Sequence, residues 1–222
     1  MALDIHVTHL RAGNKLLVHN LHVHCAPGQI VTLMGASGSG KSSLLAAVCG
    51  TLDHSMPEGH AALNPAVPSS GLHFAGDILL QGQSVAALSC AQRRIGLLFQ
   101  DDLLFAHMTV RENLLFAVPA GPTAQREAAV QAALNELGFA DMAQRSPSTL
   151  SGGQRARVSL LRTLLAKPRA LLLDEPFSKL DAALRQQFRE FVFSHVRQHA
   201  LPTLLVTHDA ADRADPAAVV HL

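Results

Sequence analysis

Ile30-Val31-Thr32-Leu33-Met34-Gly35-Ala36-Ser37-Gly38-Ser39-Gly40-Lys41-Ser42 is the stretch that decides the fold. Its first five residues read as a buried strand. Gly35 to Ser42 then fits G-x-x-x-x-G-K-[ST], and a helix is predicted over Lys41–Cys49. In that strand–loop–helix order the glycines let backbone N–H groups turn inward around phosphate oxygens. The helix N-terminus adds its partial positive charge. Lys41 would reach the β- and γ-phosphates, and the Ser42 hydroxyl would ligate Mg²⁺. The phosphate-binding set is Gly35, Ser37, Gly38, Ser39, Gly40, Lys41, Ser42 and Ser43.

Upstream, Leu3–Leu10 and Leu16–Cys25 alternate apolar and polar residues as half-buried strands do, with turns at Gly13-Asn14 and Pro27-Gly28. Downstream, Thr51–Gly76 carries Pro57, Pro65 and Pro68 with no apolar period and reads as an exposed loop. Short strands are expected at Ile78–Leu80 and Ile95–Phe99. Helical pattern covers Met108–Leu137, broken around Pro119–Pro122, then Gln154–Leu165 and Asp181–His199. Ala170–Leu173 and Thr203–Val206 are continuous apolar runs, as buried parallel strands are. Strands alternating with helices after the glycine loop predict an α/β core with a mostly parallel sheet, plus an antiparallel β lobe and a helical lobe.

Two further constellations carry chemistry. Leu171-Leu172-Leu173-Asp174-Glu175 ends an apolar strand in two acids, which delivers both carboxylates to the edge of a parallel sheet where ligands bind. Asp174 would join the Mg²⁺ shell, and Glu175 would polarise the attacking water. Alone, an Asp-Glu pair after a strand is a weak signal and a solvated helix cap explains it; the phosphate loop changes that. Leu150-Ser151-Gly152-Gly153-Gln154 precedes a helix directly. Ser151 as an ordinary N-cap would account for one residue of it. The whole string of small residues makes a second anion site at a second helix N-terminus.

Composition removes other classes. The chain has 222 residues, 48% hydrophobic, and a formal net charge of +1. That length suits one domain with attached lobes, and that charge makes no electrostatic case for nucleic acid. No apolar run is long enough to span a bilayer, and Met1–Gly13 lacks a secretion-signal layout. Cys25, Cys49 and Cys90 are scattered without CxxC spacing, so they read as small core residues rather than zinc ligands or disulfides. Among the histidines, His22 and His24 read as the exposed face of a strand. His54, His60 and His73 fall in the Pro/Gly/Ser-rich stretch.

Gly35 to Ser42, Gln100, Leu150 to Gln154, Leu171 to Glu175, Ser178 to Asp181 and His208 together resemble, in order and spacing, the ATP-binding cassette (ABC) ATPases. The resemblance covers nearly the whole chain. It implies a P-loop NTPase cassette acting as a homodimer, with two ATP molecules sandwiched between the phosphate loop of one subunit and the LSGGQ string of the other. On that likeness Ser151, Gly152, Gly153 and Gln154 would form the trans site. Gln100 would sense Mg²⁺ and the lytic water, and would mark the groove facing the membrane partner. Asp181 would link the two sites, and His208 would contact the γ-phosphate. The run Leu150–Arg185 and the segment Phe99–Phe105 look like importer ATPases, related to those for thiamine, iron(III) and sulfate.

What the resemblance implies is a peripheral subunit on the cytoplasmic face of the inner membrane. It would drive two integral-membrane permease subunits fed by a periplasmic solute-binding protein. A cassette acting on nucleic acid or ribosomes is the alternative. The expected layout is one cassette over 1–222: a β lobe at 1–34 and about 51–85, an ATP-binding core at 35–50, 95–100 and 151–222, and a helical lobe at about 101–150. Three departures stand out. The regulatory domain that several relatives carry after this point is not in the sequence, and Thr51–Gly76 is longer than usual. The aromatic residue on which the family stacks adenine is replaced near Ala12, in a chain with no Tyr or Trp. Arg11, or the apolar Leu10 and Ala12, would have to meet the base.

Overall fold

The computed structural model describes residues 2–51 and 71–222. In chain order the strands and α-helices are β1 (Leu3–Ala12), β2 (Lys15–Cys25), β3 (Ile30–Met34), α1 (Lys41–Cys49), β4 (Leu72–Leu80), β5 (Gln83–Ser84), α2 (Cys90–Arg93), β6 (Ile95–Leu98), α3 (Val110–Ala117), α4 (Thr123–Glu136), α5 (Gly152–Leu165), β7 (Ala170–Asp174), α6 (Ala182–Gln198), β8 (Thr203–Val206) and β9 (Val219–His221). They build two sheets. One runs β2-β1-β4-β5 and is antiparallel; the other runs β6-β7-β8-β3-β9, with every neighbouring pair parallel.

The parallel strands are apolar throughout because both their faces are covered. Leu172 and Leu204 pack with α1 and with Leu3, Ile5 and Leu80 of the antiparallel sheet. Their neighbours Leu171, Leu173 and Leu205 point the other way, onto Phe188, Val192 and Val196 of α6. A third cluster unites Val110 and Leu114 of α3, Val130 and Leu134 of α4, and Val158 and Leu161 of α5. That is the helical lobe. The break expected around Pro119–Pro122 separates α3 from α4.

Three sequence readings need correction. β3, placed with the β lobe by the boundary at residue 34, belongs to the parallel sheet, between β8 and β9. The exposed loop read to Gly76 ends sooner, because β4 starts at Leu72 and pairs with β1 over its whole length. Gly76 hid this strand. The β1–β4 register slips between Val7 and His9 where Gly76 faces β1, and a Cβ on Gly76 would lie 2.0 Å from the His6 carbonyl oxygen. Glycine inside a strand is a weak strand signal and a common mark of such close approach. The third correction concerns Leu10, considered as a contact for the base: it is fully buried in the core. The remaining loop reading, with His54 and His60, lies outside the described residues. β5 and β9 were not anticipated, being three residues long or fewer.

Candidate functional site

β3, β8 and β7 lie side by side, and their C-terminal ends present the phosphate loop, Thr207-His208 and Asp174-Glu175 along one edge of the sheet. This is where ligands bind in open parallel sheets. A cavity of about 260 Å³ there is lined by Leu17, Ser37, Gly38, Gly40, Lys41, Ser42, Ser43, Gln100, Asp174 and Glu175. Nine of these ten, all but Leu17, were expected from the sequence as phosphate, metal or catalytic residues; Gln100 reaches the cavity from the loop after β6.

The loop conformation depends on its glycines. Gly38 and Gly40 adopt φ of 77° and 98°, which side-chain-bearing residues rarely do. A Cβ on Gly40 would also meet Leu17 at 2.8 Å. Lys41 is buried, and its ammonium donates to the carbonyls of Gly35 at 2.9 Å and Ala36 at 2.7 Å. The cation therefore sits folded over its own loop, with its charge next to the cavity.

Asp174 is 8% exposed. Burial pushes its carboxyl above the usual Asp range, and Glu175 adds to the rise. The Ser42 hydroxyl, which hydrogen-bonds it, and Lys41 oppose the shift. Ser42 and Asp174 thus already converge as a pair of hard oxygen groups. Glu175 stands in the left-handed region at φ 47°. Strain of this kind persists where the surroundings enforce it, as functional sites do. Its N–H donates to the Val206 carbonyl at 2.9 Å, which ties β7 to β8, and its Oε1 lies 3.0 Å from Nδ1 of His208.

The loop bearing His208 is held by residues the sequence reading missed. Thr207 Oγ1 donates to Asp212 Oδ2 at 3.0 Å. Arg185 of α6 grips the same carboxylate through Nε at 2.9 Å and Nη2 at 2.6 Å. No motif marks these three residues; only their meeting does.

Ser151–Gln154 and Asp181 are not among the residues lining the cavity. Ser151 caps α5 with a full capping box: its Oγ accepts from Gln154 N–H at 3.2 Å, and Gln154 Oε1 accepts from Ser151 N–H at 2.9 Å. Gly153 is pressed on α6, where a Cβ would come 2.2 Å from Leu184 Cδ2. Asp181 caps α6 by accepting from Leu184 N–H at 3.0 Å. The Gln100 loop is clamped to α5: Arg155 donates to Asp102 at 3.1 Å and to the Leu150 carbonyl at 2.7 Å, and Ser159 donates to the Asp102 carbonyl at 2.8 Å. Beside this clamp a groove of about 520 Å³ is lined by Leu103, Phe105, Phe116, Arg162 and their neighbours. Leu103 and Phe116 are exposed.

Cys25 and Cys49 are buried in the core as expected, while Cys90 is half-buried against it; Cys49 and Cys90 are neighbours, with sulfurs 3.6 Å apart. Ala12 sits at the β1–β2 hairpin opposite Lys15. Leu17, from the same hairpin, is the one that reaches the cavity.

Residues 18–178 match the family described as ABC transporter. Relatives include the ABC transporter ATP-binding protein YnjD of Escherichia coli (strain K12), 46% identical over 204 residues, covering 91% of this chain and 87% of that protein. The sulfate/thiosulfate import ATP-binding protein CysA of Burkholderia mallei (strain ATCC 23344) is 35% identical over 223 residues, covering 98% of this chain and 58% of that protein. The aliphatic sulfonates import ATP-binding protein SsuB 1 of Xanthomonas axonopodis pv. citri (strain 306) is 37% identical over 210 residues, with 93% and 75% covered.

Proposed function

The chain belongs to the ABC transporter family, and on that premise we propose that it is the ATP-hydrolysing subunit of a solute importer, working as a homodimer. One observation carries this reading. The phosphate loop, Gln100, Asp174 and Glu175 share a cavity whose lining includes neither the Ser151–Gln154 string nor Asp181. An anion site at the start of α5 that is turned elsewhere serves a second copy. Each ATP then lies between one subunit's loop and the other's Ser151 and Gly153.

The residues present fit Mg²⁺. Ser42 and Asp174 offer hard oxygens beside one another, and Gln100 supplies a third from the loop after β6. When bound, the ion neutralises charge on the β- and γ-phosphates. Lys41 exchanges its two carbonyl partners for phosphate oxygens. Glu175 accepts a proton from the attacking water, and His208 holds its carboxylate at 3.0 Å while facing the γ-phosphate. Asp181, at the start of α6, links the two sites.

Transmission to the membrane runs through the clamp between α5 and the Gln100 loop. When Ser151 closes on a partner's ATP, α5 carries Arg155, Ser159 and the loop with it. The apolar groove at Leu103 and Phe116 receives a permease segment. Import rather than action on nucleic acid or ribosomes is supported by the sulfate and sulfonate relatives, which are import ATP-binding proteins. Among the described residues no helix is long and apolar enough to cross a membrane. On the importer reading the chain attaches peripherally, at the cytoplasmic face of the inner membrane, to permease subunits served by a periplasmic solute-binding protein.

The test is recovery of the tagged chain from detergent-solubilised membranes of its own cells. Two integral-membrane proteins should be retained with it, and Leu103→Asp/Phe116→Asp should release them while ATPase activity persists. Retention of nucleic acid and no membrane protein would overturn the importer reading.

A further inference from the structure

The outer face of the antiparallel sheet carries a cluster unrelated to the nucleotide site. In β1 the buried residues Leu3, Ile5 and Val7 face the core, and in β2 Val23 and Cys25 do the same. Strand alternation therefore sends Asp4, His6, His22 and His24 to the opposite face. The register then makes Asp4 the cross-strand partner of His24 and His6 the partner of His22. Two successive pairs on one face thus consist entirely of side chains that ligate metals. Opposed residues have Cβ atoms only about 4.5–5.5 Å apart, so such pairs reach a common point.

The side chains do converge. The His6 and His22 rings stack with centroids 4.1 Å apart and planes 19° from parallel. One ligand atom from each of Asp4, His6 and His22 lies within 4.8 Å of the other two. His24 Nδ1 lies 2.5 Å from Asp4 Oδ1, the contact by which an outer residue orients a ligating carboxylate.

We propose that Asp4, His6 and His22 form a binding site for a divalent first-row transition metal. His6 and His22 supply imidazole nitrogens, Asp4 a carboxylate oxygen, and His24 positions Asp4. Two nitrogens and one oxygen suit Zn²⁺ and its neighbours in the series; Mg²⁺ prefers oxygen alone. Tetrahedral Zn²⁺ at about 2.0–2.1 Å from each donor wants donors about 3.3 Å apart. Rotation of exposed side chains closes that gap without moving the sheet, and a fourth position is left for water. A bound ion staples the start of β1 to the end of β2.

The experiment is titration of the purified full chain, stripped with chelator and free of nucleotide, with Zn²⁺ in a calorimeter, repeated in a large excess of Mg²⁺. Co²⁺ absorption provides the coordination signature. One saturable high-affinity event is expected, insensitive to Mg²⁺, with tetrahedral Co²⁺ bands. His6→Ala and His22→Ala should each remove that event, and His24→Gln should weaken it about 10–100-fold through the loss of an outer-shell partner. The parent's melting temperature should rise with Zn²⁺ and the variants' should not, because ligands that bind only the folded state stabilise it. Mg²⁺-dependent ATPase activity of the metal-stripped variants should match the parent's, which shows that they are folded. Absence of a saturable event in the parent, or its survival in His6→Ala/His22→Ala, overturns the site.

Discussion

Nδ1 of His208 lies 3.0 Å from Oε1 of Glu175, although 33 residues separate them. The contact joins the loop after β8 to the end of β7; Glu175 lines the cavity beside the phosphate loop, and His208 is not among its lining residues. In the proposed mechanism Glu175 is the base that acts on water, and this contact would hold its carboxylate in place.

Glu175→Gln should therefore keep ATP binding and lose turnover by about 10²–10⁴-fold, the usual weight of a general base. The amide cannot take the water's proton, so the ATP-bound dimer should accumulate. Hydrolysis assays and sizing with ATP and Mg²⁺ read both effects, and near-normal turnover would remove Glu175 from the role.

Lys41→Ala subunits mixed with Ser151→Arg subunits should regain part of the activity that each lacks alone. A mixed dimer holds one intact composite site and one doubly damaged site. No recovery, with mixed dimers demonstrated by mass, would contradict ATP shared across the dimer.

Asp174 should show a conflict between stability and function. Its carboxyl is raised above the unfolded value, chiefly by burial. The favourable contribution of the protonated form is present below the unfolded pKa and is lost as pH rises through the folded one. Asp174→Asn should thus melt above the parent at neutral pH without nucleotide, and the gap should narrow as pH falls toward the ordinary Asp value. Hydrolysis should be lost at every pH. A variant that melts below the parent at neutral pH would show that the ionised carboxylate is net stabilising.

Arg93 is fully buried and donates through Nη1 to the carbonyls of Ala47 and Val48, both at 2.9 Å, through Nε to Leu88 at 3.0 Å and through Nη2 to Ala86 at 2.6 Å. It closes the C-terminus of α1, the helix that carries the phosphate loop. Charged hydrogen bonds contribute about 1.5–3 kcal/mol each, so Arg93→Ala should cost at least about 3 kcal/mol. At about 2–4 °C per kcal/mol for a chain of this size, the melting temperature should fall by roughly 6–12 °C. Arg93→Lys should recover little, because an ammonium lacks the planar fork. Thermal melts check both variants.

Base recognition should be permissive. Ala12 and Leu17 bring only apolar contact to the hairpin beside the cavity, so GTP should be hydrolysed at a rate comparable to ATP. Ala12→Tyr should tighten ATP binding about tenfold or more, since stacking on an aromatic contributes roughly 1–3 kcal/mol. Unchanged affinity in Ala12→Tyr, with strong preference for ATP in the parent, would place the base elsewhere.

The sequence by itself determined the elements whose pattern is local and dense. Helix α1 starts and ends where a Gly-Lys-Ser start and Gly50 put it. β3, β7 and β8 were legible because strands covered on both faces must be apolar without interruption. The phosphate-loop residues, Asp174, Glu175 and the string at Ser151 were legible because backbone geometry and charge at those points demand particular residue types at fixed spacing. Only the tertiary structure decided what depends on elements far apart in the chain. β3 joined the parallel sheet because its partners, β8 and β9, come more than 150 residues later. β4 was masked by Gly76, whose place in the strand makes sense only against the His6 carbonyl. Arg93 reads as one basic residue of a pair until four carbonyls close around it. Asp4, His6, His22 and His24 read as two exposed strand faces until the register sets them opposite each other. Alternation tells which way a side chain points, but not what stands across from it.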